Sequence, residues 1–187
     1  LFSGYPLAGL GETQAFYPPT WAYFLTGAQQ IMRVYGLLAV AHIWLGGWGM
    51  ALYLRSRKLG WEASLLGAVV FMLNGKWLAF LLLAQNSMFG WAWLPWVLWA
   101  MMRLRERQNL SRVVELACLI ALLVLGLLAP LIVIATYFLV CQGGYLVVRD
   151  RSWRLALALL LACGLAGGLC AVFLLPGLEY TGFVMRG

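Results

Sequence analysis

This chain consists of long apolar runs, each about the length of a helix, separated by short polar segments. Apolar runs at 34–54, 61–84, 88–102, 113–128, 131–148 and 155–175 are separated by short polar breaks. A helix needs about 20 apolar residues to cross the roughly 30 Å hydrocarbon core of a bilayer. The pattern therefore predicts an all-α fold, a polytopic transmembrane helical bundle of about six spans. It forms one truncated domain over residues 1–187, with an extracytoplasmic N-terminal segment at 1–33.

The basic residues predict the orientation of these spans. Ten of the thirteen lie in three of the breaks: Arg55, Arg57 and Lys58; Arg103, Arg105, Arg107 and Arg112; Arg149, Arg151 and Arg154. Positively charged loops stay on the cytoplasmic side of a membrane, so an even number of crossings should separate each pair of breaks. The opposite, outer side is then expected to carry the chemistry.

Prolines and one polar interruption modify the simple pattern. The run from Val113 to Val148 has basic residues at both ends and is too long for one crossing, so a turn is predicted near Ala129-Pro130. The second run is interrupted at Asn74, and the third run contains Pro95 and four tryptophans expected to pack between helices.

Composition agrees with a membrane protein. Hydrophobic residues make up 64% of the chain and charged residues only 10%, against about 25% charged in a typical soluble domain. The net charge of +7 follows from the loops, and no basic patch with interleaved aromatic residues accompanies it. Nucleic acid is therefore excluded as a partner, and membrane lipids are expected.

Two polar residues inside the apolar runs are candidate site residues. Lys76 falls in the outer half of its span, where a lysine costs at least about 2.5 kcal/mol unless it finds a partner or reaches the headgroups. His42 is the single histidine and lies near the middle of the first span. It must form hydrogen bonds, bind a ligand or face water, and a packing role is the commoner outcome. With one histidine, no metal site is predicted.

The remaining candidates lie on the outer side. Glu12 is a candidate catalytic base, and the candidate substrate-binding residues beside Lys76 and His42 are Gln14, Tyr17, Gln85, Asn86, Glu179 and Arg186. A carboxylate can accept a proton from a hydroxyl group or hold a divalent cation that carries a phosphate. Glu62, Glu106, Glu115 and Asp150 adjoin the basic breaks and are expected to neutralise them.

Several short strings resemble one family in content and order. They are FSGYPL at 2–7, ETQAFYPP at 12–19, the lone His42, Asn74-Gly75, WLPW at 93–96 and LPGLE at 175–179, with Arg186. Together they cover nearly the whole chain and resemble the bacterial YfhO-like membrane proteins.

That resemblance implies a polytopic glycosyltransferase of the C-type fold in the bacterial inner membrane. Such proteins move a sugar from a polyprenyl-phosphate carrier to an acceptor on the outer face. Their catalytic acid usually follows the first span, which would place it upstream of Leu1. The sequence specifies no cofactor, although Glu12 or Glu179 could hold a divalent cation.

Two other classes of function remain open. The chain could be a non-enzymatic subunit of a larger membrane assembly, with the Trp-rich segment as a packing surface and His42 touching a pigment. A transporter fits less well, because no internal repeat is visible.

Overall fold

A computed structural model describes residues 14–76, 79 and 86–176, and these residues form helices and turns without a strand. Six α-helices follow one another: α1 Ile31–Ser56, α2 Trp61–Met72, α3 Leu94–Glu106, α4 Leu110–Leu125, α5 Ala129–Asp150 and α6 Trp153–Leu169. Two 3₁₀ helices, Pro18–Leu25 and Asn86–Trp93, precede α1 and α3, and a short one spans Ala28–Gln30. Residues 171–176 are again helical. The predicted all-α class is confirmed.

Two of these helices are long and apolar enough to cross a membrane. They are α1, with 26 residues, and residues Pro130–Asp150 of α5. At a rise of about 1.5 Å per residue, α1 is about 39 Å long and exceeds the hydrocarbon core. The helices α2 and α6 are apolar but shorter, with 12 and 17 residues. Membrane association rests on the two long helices, and six crossings remain a prediction.

The second predicted run, 61–84, is interrupted after Met72, and residues 75, 76 and 79 are helical again, whereas its predicted end at residue 84 lies outside the described residues. Helix α2 ends at Met72 because the side chain of Asn74 forms hydrogen bonds with backbone groups that would otherwise continue the helix. Its Nδ2 donates to the carbonyl of Phe71 at 2.5 Å, and its Oδ1 accepts from the backbone N–H of Lys76 at 3.1 Å. The predicted interruption at Asn74 is confirmed.

The third predicted span, at 88–102, consists of two kinds of helix. The 3₁₀ helix Asn86–Trp93 leads directly into α3, and Pro95 lies in the first turn of α3, where its missing N–H costs no helical hydrogen bond. The predicted turn near Pro130 is also confirmed, because α4 ends at Leu125 and α5 begins at Ala129.

The three basic breaks come together at one end of the bundle, which we call the arginine end. Arg105 binds Asp150 through two hydrogen bonds of 2.5 and 2.7 Å, which join the end of α3 to the end of α5. Arg57 reaches the Met102 sulfur at 3.8 Å and brings the end of α1 to the same place. Two of the helices that start at this end, α4 and α6, are capped by the side chains of Asn109 and Ser152.

Helix α3 is the centre of the core, with most of its side chains buried. It packs on α1 through glycines: a Cβ at Gly49 would lie 2.5 Å from the Trp96 ring, and one at Gly46 would lie 2.7 Å from Phe71 of α2. Glycine therefore lets α1 approach α2 and α3 closely. The outward side of α1 keeps large apolar groups exposed, including Leu37, Trp44 and Trp48, as a lipid-facing helix would.

Candidate functional site

A group of hydrogen-bonded polar side chains lies in the half of the bundle away from the arginine end, with His42 near the middle of α1. The Tyr17 hydroxyl lies 2.6 Å from Nε2 of His42 and 2.6 Å from the indole Nε1 of Trp93. Nδ1 of His42 lies 2.6 Å from the carbonyl oxygen of Leu38, one turn earlier in α1. Tyr17 is 0% exposed and His42 is 4% exposed, so these bonds form away from water.

The partners determine the direction of each hydrogen bond. A carbonyl can only accept, so Nδ1 of His42 carries the proton and donates to Leu38, which leaves Nε2 as an acceptor. The Tyr17 hydroxyl donates to Nε2 and accepts from the Trp93 N–H. Burial raises the pKa of Tyr17, and the hydrogen bond from Trp93 offsets only part of that increase. The phenol therefore stays protonated, as this arrangement requires.

Aromatic packing holds the imidazole from a second side. The ring of Phe89 stacks on His42 with 4.3 Å between ring centres and 17° between planes. Phe89 is 1% exposed. The histidine therefore has both nitrogens bonded and one face covered.

A side-chain hydrogen bond of Gln14 joins the first described residues to the turn between α4 and α5. Its Nε2 donates to the carbonyl of Gly126 at 2.7 Å, and the same carbonyl accepts from the backbone N–H of Gly90 at 2.9 Å. The Thr20 hydroxyl donates toward the carbonyls of Gln14 and Tyr17. Residues 14–20 are thus held by both backbone and side-chain bonds.

The segment fixed in this way presents apolar groups outward. In the 3₁₀ helix Pro18–Leu25, Trp21 is 52% exposed, Phe24 81% and Leu25 87%. The exposed Arg33 follows in the first turn of α1, 22 residues before Arg55. That separation corresponds to about 33 Å of helix, close to the thickness of the hydrocarbon core. We therefore predict that this segment lies at the membrane surface.

Lys76 lies at the same end of the bundle and is exposed. Its ammonium stands 5.3 Å from the centre of the Trp91 ring, which is the range of a cation–π contact. An aromatic face, rather than an acid, is therefore the partner that the described residues supply. Among the described residues, this contact leaves the N–H groups of Lys76 open to an anion.

The structure brings together three of the residues predicted for the site: Gln14, Tyr17 and His42. Lys76 stands apart from them. Asn86 begins a 3₁₀ helix, and its side chain lies outside the described residues, as do Glu12, Gln85, Glu179 and Arg186.

Carboxylates within the described ranges all belong to the arginine end. Glu115 binds Arg103 and Arg112 at 2.6 Å each, and Asp150 binds Arg105. Neutralisation of the basic breaks by these two acids is confirmed. In the described part of the chain no group of three or more His, Cys, Asp or Glu side chains could hold a metal ion.

The group of hydrogen-bonded side chains is suited to positioning rather than to proton transfer with a substrate. Each polar atom of Tyr17 and His42 already has a protein partner, and a substrate would have to displace one. The prediction from sequence missed Trp93, Phe89 and Gly126 as members of this site. The sequence did carry a signal for Trp93. A buried imidazole needs hydrogen-bond partners, and the side chains of Tyr and Trp combine an apolar ring with a polar group that can form hydrogen bonds.

Comparisons of the chain with protein-family models, with curated proteins and with solved structures give no match.

Proposed function

We propose that this chain is the membrane-embedded part of a glycosyltransferase-like protein that uses a polyprenyl-phosphate sugar as donor. The reaction would occur at the membrane face opposite the arginine end. The strings of residues that resemble the YfhO-like proteins support the class. The arginines gather at one end of the bundle, whereas Lys76 and the hydrogen-bonded side chains of Tyr17, His42 and Trp93 lie in the opposite half. This separation supports the proposed membrane face for the reaction.

Lys76 is the observation that carries this proposal. A lysine near the end of an apolar segment is costly unless it serves an anion or reaches water. Here its ammonium is exposed and held over Trp91, where it can meet a phosphate that enters from the bilayer. The polyprenyl chain would remain in the lipid. This arrangement suits a carrier with an apolar tail and a charged head.

In the proposed transfer, an acceptor hydroxyl oxygen forms a bond to the anomeric carbon of the sugar as the bond from that carbon to the carrier phosphate breaks. The hydroxyl proton passes to a carboxylate, and the phosphate leaves with the bonding electrons. Lys76 would stabilise the negative charge on the departing phosphate. Glu12 and Glu179 are the candidate proton acceptors, and both lie outside the described residues.

Binding of the carrier tests the role of Lys76 directly. In Lys76→Met, which keeps the apolar stem and removes the charge, we expect about tenfold weaker binding of polyprenyl phosphate to the purified protein in nanodiscs. Lys58→Met is the matched control, since Lys58 is an exposed lysine at the arginine end and its replacement should leave the affinity unchanged. Equal affinities for the two variants would remove Lys76 from the site.

Turnover tests the activity itself. The full-length protein, reconstituted with polyprenyl-phosphate sugars, should transfer sugar to an acceptor, and Lys76→Met should slow the transfer. Absence of transfer with every sugar carrier offered would contradict the enzymatic proposal.

A non-enzymatic subunit is the second candidate, favoured by one specific observation. Trp44 and Trp48 lie one turn apart on α1 and are 65% and 66% exposed, so they offer a flat aromatic surface to a neighbouring helix. Pigment binding through His42 receives no support, because both of its nitrogens are bonded within the chain. Stoichiometric co-purification with a larger membrane complex would favour this candidate over the enzyme.

A further inference from the structure

A cleft of about 310 Å³ opens between α1, α3 and α4 and shares only Trp93 with the residues that the proposed function uses. Its wall is apolar and contains three tryptophans; it is formed by Leu45, Trp93, Trp96, Trp99, Cys118 and Leu119. Glu115 closes it toward the arginine end. The Trp96 indole donates to the carbonyl of Leu45 at 2.9 Å, which fixes this side chain in the wall.

The charged group at the closed end is a triad with a surplus positive charge. Arg103 and Arg112 each donate to a different oxygen of Glu115 at 2.6 Å. The three side chains are only 29%, 26% and 27% exposed, so two cations share one anion in a partly buried place. Arg103 also stacks on Trp99, with 4.3 Å from Cζ to the ring centre, which joins the charges to the aromatic wall.

We propose that this cleft binds an anionic phospholipid, with one acyl chain along the tryptophans and its phosphate paired with Arg103 and Arg112. Each guanidinium has five N–H donors, and the bonds to Glu115 leave several of them for phosphate oxygens. The phosphate would offset the surplus charge of the triad.

The dimensions of the cleft fit this occupant. Ten residues of helix separate Trp93 from Arg103, which corresponds to about 15 Å. That length is half of the roughly 30 Å hydrocarbon core, the depth that one leaflet of acyl chains fills. Basic pockets between membrane helices at the cytoplasmic side are typical sites for anionic headgroups. A free phosphate would satisfy the arginines but would leave the aromatic wall uncovered.

Native mass spectrometry of the detergent-purified protein tests the headgroup contact. Phosphatidylglycerol should be retained in preference to phosphatidylcholine with the same acyl chains. Arg112→Gln should reduce that retention about fivefold, the effect of one arginine near an anionic lipid. Arg154→Gln is the matched control, because it removes the same charge at the same end, where Arg154 lies 5.9 Å from the centre of the Trp153 ring, whereas Arg112 is bonded to Glu115 in the cleft. Equal loss in both variants, or equal retention of the two lipids, would overturn the proposal.

A second pair of variants tests the acyl chain without changing the charge. Cys118→Trp should fill the cleft and lower phosphatidylglycerol retention, whereas Cys141→Trp, at an exposed position on α5, should not. Inorganic phosphate at millimolar concentration should fail to displace the lipid. Displacement by phosphate alone, or unchanged retention in Cys118→Trp, would show that the cleft does not hold the chain. Because Lys76 is not involved, failure of this test leaves the proposed function untouched.

Discussion

At the scale of single residues, one buried imidazole explains much of the polar structure opposite the arginine end. An apolar interior makes an unpaired polar group expensive, so His42 must satisfy two nitrogens within the chain. It does so with the carbonyl of Leu38 and the hydroxyl of Tyr17, and the hydroxyl in turn satisfies Trp93. The three side chains form a chain of hydrogen bonds whose members depend on one another.

Tyr17→Phe should therefore destabilise the protein by about 2 kcal/mol, because it removes one hydroxyl and leaves a buried acceptor on His42 and a partly buried donor on Trp93 without their partner. The thermal midpoint of the detergent-solubilised protein should fall. Tyr137→Phe is the control, since Tyr137 is 74% exposed. Equal midpoints for the two variants would show that the bonds contribute nothing.

A double-mutant cycle makes the coupling of this chain measurable. Removing both partners costs less than leaving one of them buried and unpaired. Tyr17→Phe combined with His42→Leu should thus destabilise the protein by about 1 kcal/mol less than the sum of the two single changes. Strict additivity would mean that the 2.6 Å contact carries no interaction energy.

At the scale of elements, the N-terminal segment is held where two backbones meet. A Cβ on Gly126 would lie 2.8 Å from both Cα and N of Gly90, so the turn after α4 and the 3₁₀ helix Asn86–Trp93 touch without side chains between them. The carbonyl of Gly126 then serves both Gly90 and Gln14. The position of residues 14–20 depends on this close approach.

Gly126→Ala should separate these two backbones and destabilise the protein by about 1–3 kcal/mol, the usual cost of forcing an added carbon into a packed site. Gly164→Ala provides the comparison, because nothing lies within 4 Å of a Cβ placed there. We expect limited proteolysis to cut the segment around residues 14–30 faster in Gly126→Ala only. Identical digestion of both variants would argue against this anchoring role.

At the scale of the whole molecule, the two ends differ in charge and in the kind of polar interaction that stabilises them. The arginine end is held by ion pairs between helices, including Arg105 with Asp150 and both Arg103 and Arg112 with Glu115. The opposite end is held by uncharged hydrogen bonds. Because loops rich in arginine remain on the cytoplasmic side of membranes, we predict that the arginine end faces the cytoplasm.

This direction can be checked with a membrane-impermeant maleimide. Arg107→Cys, in the loop between α3 and α4, should react only in inverted vesicles, and Phe24→Cys should react only in intact cells. The unmodified protein, with its four cysteines in apolar segments, gives the background. Reaction of both variants from the same side would disprove the assigned orientation.

Some local features were predictable because they depend on neighbouring residues. The break at Asn74 comes from a side chain that bonds the backbone of its neighbours, and the turn before Pro130 comes from the missing N–H of proline. The end of α2 at Met72 follows from the break at Asn74, and residues 75, 76 and 79 of the same apolar run are helical again. The start of α3 at Leu94, beside Pro95, was not predicted. Hydrophobicity marks where a helix is tolerated, and hydrogen bonding marks where it ends.

The sequence by itself determined the all-α class, the apolar runs, the basic breaks and the need of His42 for partners. These properties follow from composition and short-range order. Only the tertiary structure decided that Tyr17 and Trp93, 76 residues apart, would meet at that histidine, and that Gln14 would reach Gly126 across 112 residues. The physical reason is that periodicity shows which residues are buried, whereas helix packing selects the partner each buried polar group finds.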